Sequence, residues 1–246
     1  MSTDAEGAAN PARQRRPVVC LHGTGDNAHH WDRLIARMPA YPVVALDLPG
    51  HGANLDRPGP AEMGVIDYAD YVRAELTRRG LKDVCLVGHS LGSAVAMRLA
   101  VDHPSLVRRL VLVGAGARLR VLPALLDTAK TNPAAAIREL VDMGFAQRHH
   151  DEAKRYYDAL APVAPGVIRR DLIACDRFDM MEELGHISQR ALIITGEEDR
   201  LTPPKYARFL REKLASAQLQ VLPGAGHYVA IEAPEALAEA ICSWLA

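Results

Sequence analysis

Ser90 stands between two glycines in Gly88-His89-Ser90-Leu91-Gly92, directly after the apolar run "VCLV" and directly before the small-residue stretch "SAVAMRLA". The first segment reads as a strand and the second as a helix, so the hydroxyl falls at a strand-to-helix turn. That is the context in which G-x-S-x-G carries a nucleophile. The turn is strained, and residues two before and two after the serine approach too closely for a Cβ. The small residues Ser93, Ala94 and Ala96 keep the start of the helix slim against a sheet. The first amides of that helix then point at any negative charge forming beside the hydroxyl.

A serine hydroxyl is a weak nucleophile at neutral pH without a base. Among ten histidines, His227 in "LPGAGHYVAIEAPEAL" follows the last apolar run and precedes the last helical pattern, on the same predicted sheet edge as Ser90. His22 and His51 belong to Gly-flanked turns, while His29, His30, His149 and His150 lie on polar segments and read as solvent-facing. The imidazole needs an anion to fix its tautomer. "TGEEDRLTP" offers Asp199, with Glu198 as the alternative, and preserves the order serine, acid, histidine. The end of the preceding strand, "GAGAR", offers no carboxylate.

Acyl transfer also needs donors for an oxyanion. The main-chain N–H of Leu91 is one, and that of Thr24 in "HGTGDN" is the other, with Gly25 as a substitute.

Positioning these groups requires a particular scaffold. Six short apolar runs recur from Val18, Val43, Val84, Leu110, Ala191 and Leu219, separated by helical patterns that include Ala69–Leu76, Leu91–Val101, Pro204–Leu214 and Pro234–Leu245. Continuous apolar strands alternating with helices predict a parallel sheet covered on both faces. Residues 117–187 break this rhythm: "PALLDTA", "PAAAIRELVDMGFA", "DEAKRYYDALA" and "GVIRRDLIACDRFDMMEEL" all read as helices. Such an insertion, on the edge where loops build sites, reads as a cap over a pocket. Leu122, Met143, Phe145, Met180 and Met181 are its candidate pocket residues, and Arg118 and Arg120 could meet a substrate carboxylate.

The division is therefore a disordered tail over 1–16, a core over 17–116 and 188–246, and the helical cap. At 246 residues with 49% hydrophobic and 24% charged, one large α/β domain fits. A net charge of -1 gives no field that would draw nucleic acid or an anionic membrane. No apolar run is long enough to span a bilayer, and no signal-peptide core precedes Val18. Cys20, Cys85, Cys175 and Cys242 lack metal or disulfide spacing, and neither His29-His30 nor His149-His150 has the pairing of a metal helix. A cytoplasmic protein without metal is expected.

The segments "LHGTGDNAHHWD", "ALDLPGHG", "VGHSLGSAVAMRLA", "HPSLVRRLVLVGA", "TGEEDRLTP" and "GAGHYVAIEAPE" together resemble the α/β-hydrolase superfamily from about residue 17 onward, and within it the small capped bacterial carboxylesterases and lactonases. The resemblance implies hydrolysis of small to medium esters or lactones through an acyl-serine intermediate, with no organic cofactor. Thioesterase, carbon–carbon hydrolase, amidase and acyltransferase chemistry use the same three residues, and a non-catalytic ligand-binding relative would keep the pocket. Ser90 argues against the dehalogenases and epoxide hydrolases of the fold, which carry Asp there. Only the sixteen-residue polar stretch 1–16 lies ahead of the segment that opens the first strand, so the family's N-terminal hairpin is expected to be reduced or absent. The exposed edge would then be covered by the tail or by a second subunit.

Overall fold

Val18–Leu21 is fully buried, as a strand needs to be when helices cover both faces of its sheet. The computed structural model describes residues 15–160 and 162–246. In chain order the elements are β1 (Val18–Leu21), α1 (Asp32–Ala36), β2 (Val43–Leu46), α2 (Val65–Arg78), β3 (Val84–His89), α3 (Leu91–Asp102) and β4 (Val107–Val113). After them come α4 (Pro123–Thr131), α5 (Pro133–Gly144), α6 (His150–Ala159) and α7 (Val167–Arg177). The chain closes with β5 (Arg190–Gly196), α8 (Pro204–Lys213), β6 (Ala217–Leu222), α9 (Val229–Glu232) and α10 (Pro234–Leu245).

The six strands form one sheet in the order β2-β1-β3-β4-β5-β6, and every pairing is parallel. No hairpin precedes β1 among the described residues, so β2 is an edge strand and its first three residues are only half-buried. The strand order reverses between β1 and β3. Loops after these neighbours leave in opposite directions and open a crevice at the carboxyl ends of the strands.

Alternation sends side chains to two cores. Leu86, Leu110 and Ile193 meet α2, α3 and α8 on one face, while Val87, Val111 and Ile194 meet α1, α9 and α10 on the other. Each such leucine or valine, taken fully out of water, contributes roughly 1.5–3 kcal/mol. Helices α4 to α7 have an interior of their own around Leu125, Ile137, Leu140, Val141 and Leu172, which closes on Tyr228 and Ile231 beyond β6.

The helix predicted over 166–184 ends at Arg177. Phe178 and Met180 turn into the core on the sheet face, and the Arg118–Asp179 ion pair of 2.6 Å holds the two ends of the insertion together. The expected tail lies mostly outside the described residues. Of its described arginines, Arg15 stacks over Tyr41 at 4.4 Å and Arg16 pairs with Asp83, so both are exposed but engaged.

Candidate active site

The turn after β3 places Ser90 at φ 52 and ψ -116, a left-handed conformation costly for a residue with a Cβ. Its N–H donates to Val113 O at 3.0 Å, and its carbonyl accepts from Ser93 N–H and Ser93 Oγ at 2.8 and 2.6 Å. These bonds fix the turn from both sides. A Cβ on Gly88 would overlap the Gly92 carbonyl, and one on Gly92 would come within 2.5 and 2.6 Å of the Leu21 and His22 carbonyls. The glycines thus let α3 sit against both β3 and β1.

Ser90, His227, Thr24, Leu122 and Met143 border one cavity of about 220 Å³ at the crevice between β1 and β3. Its remaining wall is largely apolar, with Leu125, Leu140 and Leu172 from the helical insertion. Phe145 is withdrawn from it, stacked on Tyr228 at 4.8 Å. Met180 is buried in the sheet-face core, and Met181 lies at the surface. Those three expectations fail for one reason: helical spacing marks apolar residues but not which side of a helix, or of its broken end, meets the cavity.

Asp199 faces the imidazole. Its Oδ2 lies 2.9 Å from His227 Nδ1, while Glu198 is exposed. Asp199 is itself held by N–H donors from Leu201 and Thr202, at 2.9 and 2.7 Å, and by the Thr202 hydroxyl at 2.7 Å. A buried carboxylate so surrounded has its charge matched by fixed dipoles. Thr202 Oγ1 also lies 3.1 Å from His227 Nδ1. With Nδ1 committed to the acid, Nε2 is the nitrogen left for proton transfer. No hydrogen bond joins the Ser90 hydroxyl to His227 here, and such bonds are commonly long until substrate arrives.

The main-chain N–H groups of Thr24 and Leu91 have no acceptor among the described residues. That of Gly25 points instead to Asp171 Oδ2 on α7, at 3.4 Å. Asp171 also accepts from Tyr68 and lies 3.0 Å from His51 Nε2, so the insertion and the first loop share one buried carboxylate.

Several of these positions carried no motif. Glu232 accepts from the N–H groups of Gly226 and Tyr228, at 2.9 and 3.0 Å, and from that of Ala146 at 2.8 Å. Burial raises its pKa despite those three donors. His30, expected at the surface, is buried; its Nδ1 lies 2.6 Å from Asp26 and its ring stacks on His89 at 4.6 Å. His89 donates from Nε2 to the carbonyl of His227 at 3.1 Å. Burial holds its pKa well below the usual histidine value, with His30 and His227 adding to the effect, so it stays neutral. Burial likewise pushes the Cys175 thiol up to about 12, leaving it inert although it borders the cavity. No cluster of metal-binding side chains occurs among the described residues.

A parallel sheet with a strained serine turn at its strand-order reversal and a carboxylate–imidazole pair on the loops after β5 and β6 is the arrangement of the α/β-hydrolase class. The chain belongs to the alpha/beta hydrolase family, whose profile matches residues 18–240. It is similar to a pimeloyl-[acyl-carrier protein] methyl ester esterase from Neisseria meningitidis, at 31% identity over 91% of this chain and 74% of the relative. Among solved structures it is similar to a thermophilic esterase, at 34% identity and TM-score 0.77, covering 95% of this chain and 90% of that one. An enol-lactonase from Burkholderia xenovorans LB400 shares the fold at TM-score 0.86 with 20% identity, over 94% and 91% of the two chains. The protein is a hydrolase of the esterase kind.

Proposed function

We propose that Ser90, His227 and Asp199 act as a catalytic triad on carboxylic esters or lactones. The observation that carries this is the 2.9 Å Asp199–His227 pair, whose imidazole shares a cavity with a serine held in left-handed geometry. His227 Nε2 takes the Ser90 proton as Oγ attacks the carbonyl carbon, and gives it to the departing alkoxide. Water then repeats the sequence on the acyl-serine, releasing the acid and restoring the hydroxyl. The N–H groups of Thr24 and Leu91 receive the oxyanion, each worth about 3–4 kcal/mol in the transition state. Residues 117–187 serve as the cap that shapes the substrate space. The apolar wall supports short to medium chains, and the enzyme relatives support ester chemistry over a binding role.

No helix among the described residues is long and apolar enough to cross a membrane. The four unpaired cysteines support a cytoplasmic setting.

Fluorophosphonate labelling and hydrolysis of p-nitrophenyl acetate and butyrate test the reading. Labelling and turnover should both vanish in Ser90→Ala, with kcat down at least about a thousandfold. An unlabelled wild-type protein would favour binding without catalysis.

A further inference from the structure

Two exposed arginines from separate parts of the chain border the Ser90 cavity. Arg120 leads into the helical insertion after β4, and Arg200 sits in the loop after β5, one residue beyond Asp199. Neither lies within ion-pairing distance of a carboxylate among the described residues. Each is instead anchored by main-chain carbonyls: Arg120 Nη1 donates to Asp176 O at 3.0 Å, and Arg200 Nη2 to Asp142 O at 2.7 Å and Phe145 O at 3.2 Å. Carbonyl anchors orient a guanidinium without cancelling its charge, and leave other N–H donors of the fork free. Arg118 differs, because Asp179 neutralises it at 2.6 Å and it does not border the cavity.

The other charge at this cavity is already matched. Asp26 accepts from Asn27 N–H at 2.8 Å, from Tyr156 and from His30. Ser90 is half-buried and the two arginines are exposed, and the same cavity is bordered by the apolar side chains of Leu119, Val121, Leu140 and Leu201. A substrate that fills this space has a carbonyl at one end, a hydrocarbon middle and a group facing positive charge at the other.

We infer that Arg120 and Arg200 form a carboxylate subsite, so that the preferred substrates are esters or lactones bearing a remote carboxylate. This rests on the hydrolase reading of Ser90 and narrows it from neutral apolar esters to half-esters of dicarboxylic acids or esters of carboxylated alcohols. A planar guanidinium pairs with a carboxylate through two parallel N–H bonds, so two of them select for charge and for its distance from the carbonyl.

The test compares p-nitrophenyl half-esters of adipate and suberate with p-nitrophenyl hexanoate and octanoate. A second arm compares 4-carboxyphenyl butyrate with phenyl butyrate, to tell an acyl-side carboxylate from an alcohol-side one. The expected result is a kcat/KM at least about tenfold higher for the charged member of one pair, falling as salt is added. The charged-to-neutral ratio should collapse in Arg120→Gln/Arg200→Gln and invert in the corresponding double Glu variant. Loss of folding cannot mimic a change in that ratio. Ser90-dependent hydrolysis of neutral esters with no preference in either arm would overturn the subsite and leave the hydrolase reading standing. Should the wild type hydrolyse none of these esters, the hydrolase reading falls. Binding to Ser90→Ala by calorimetry, monomethyl adipate against methyl hexanoate, then decides the subsite alone: equal affinity overturns it.

Discussion

The main-chain N–H of His227 donates to the carbonyl of Gly144 at 2.6 Å, tying the imidazole loop to the end of α5. On either side, the N–H groups of Gly226 and Tyr228 donate to Glu232. Three successive amides of this loop are thus committed, two to one buried carboxylate and one to the helical insertion.

Glu232→Gln should therefore loosen the imidazole loop. The amide retains one acceptor oxygen and turns an NH2 toward main-chain donors, a cost of about 2–3 kcal/mol. We expect a lower Tm together with a fall in kcat of about tenfold, read at a temperature where the variant is folded. An unchanged kcat would mean that the loop holds its geometry without the carboxylate.

Asp199→Asn should cut kcat by about a thousandfold or more, because the amide can hold His227 in the wrong tautomer. Glu198→Gln should act like the parent, since that side chain is exposed and its neighbour faces the ring. Steady-state kinetics of the two variants check which acid serves.

Thr202→Val removes a hydroxyl that donates to Asp199 and sits 3.1 Å from His227 Nδ1, with little change in volume. One lost charge-assisted bond suggests a reduction in kcat of about tenfold, with KM little altered. A shifted pH profile of kcat would mark it as a positioning residue; a fall in Tm alone would mark it as structural.

Gly92→Ala would normally favour a helix, yet here its Cβ would lie 2.5 Å from the Leu21 carbonyl, a backbone atom that cannot yield. We expect destabilisation of about 3 kcal/mol or more, or no folded protein. Gly185→Ala, with nothing within 4 Å, should be tolerated. Denaturant midpoints of the pair provide the check.

Stability should decline as the solution is acidified below about 6.5. Burial, with His51 beside it, lowers the pKa of His22 to about 4 from the ordinary 6.5. The unfolded chain thus binds this proton first. The stabilisation is complete above about 6.5 and is lost as pH falls toward 4, and His89 acts in the same direction. Urea midpoints at successive pH values measure it, and His22→Asn should flatten the slope.

Ser90, His227, Asp199 and the alternation of strands and helices were legible in the chain because each depends on local order. A strained turn needs its glycines, a buried parallel strand needs continuous apolar residues, and Asp199 and His227 follow strands along the sequence. The six strands and their parallel arrangement follow from the same local signals. Where a side chain points across the cavity has no such signal. Phe145 and Met180 have the same apolar character as Met143, yet stacking on Tyr228 withdraws one and the sheet-face core takes the other.

By itself, then, the sequence determined the strained turn at Ser90, the loops that carry Asp199 and His227, and the layered α/β architecture, all properties of neighbours in the chain. Only the tertiary structure decided that Glu232 ties the imidazole loop to Ala146, that His30 is buried against His89, and that Arg120 and Arg200 border one cavity. Those relationships join residues far apart in sequence. They arise where separate segments, residues of the helical insertion among them, pack together beside the carboxyl ends of the strands, contacts that no single segment specifies.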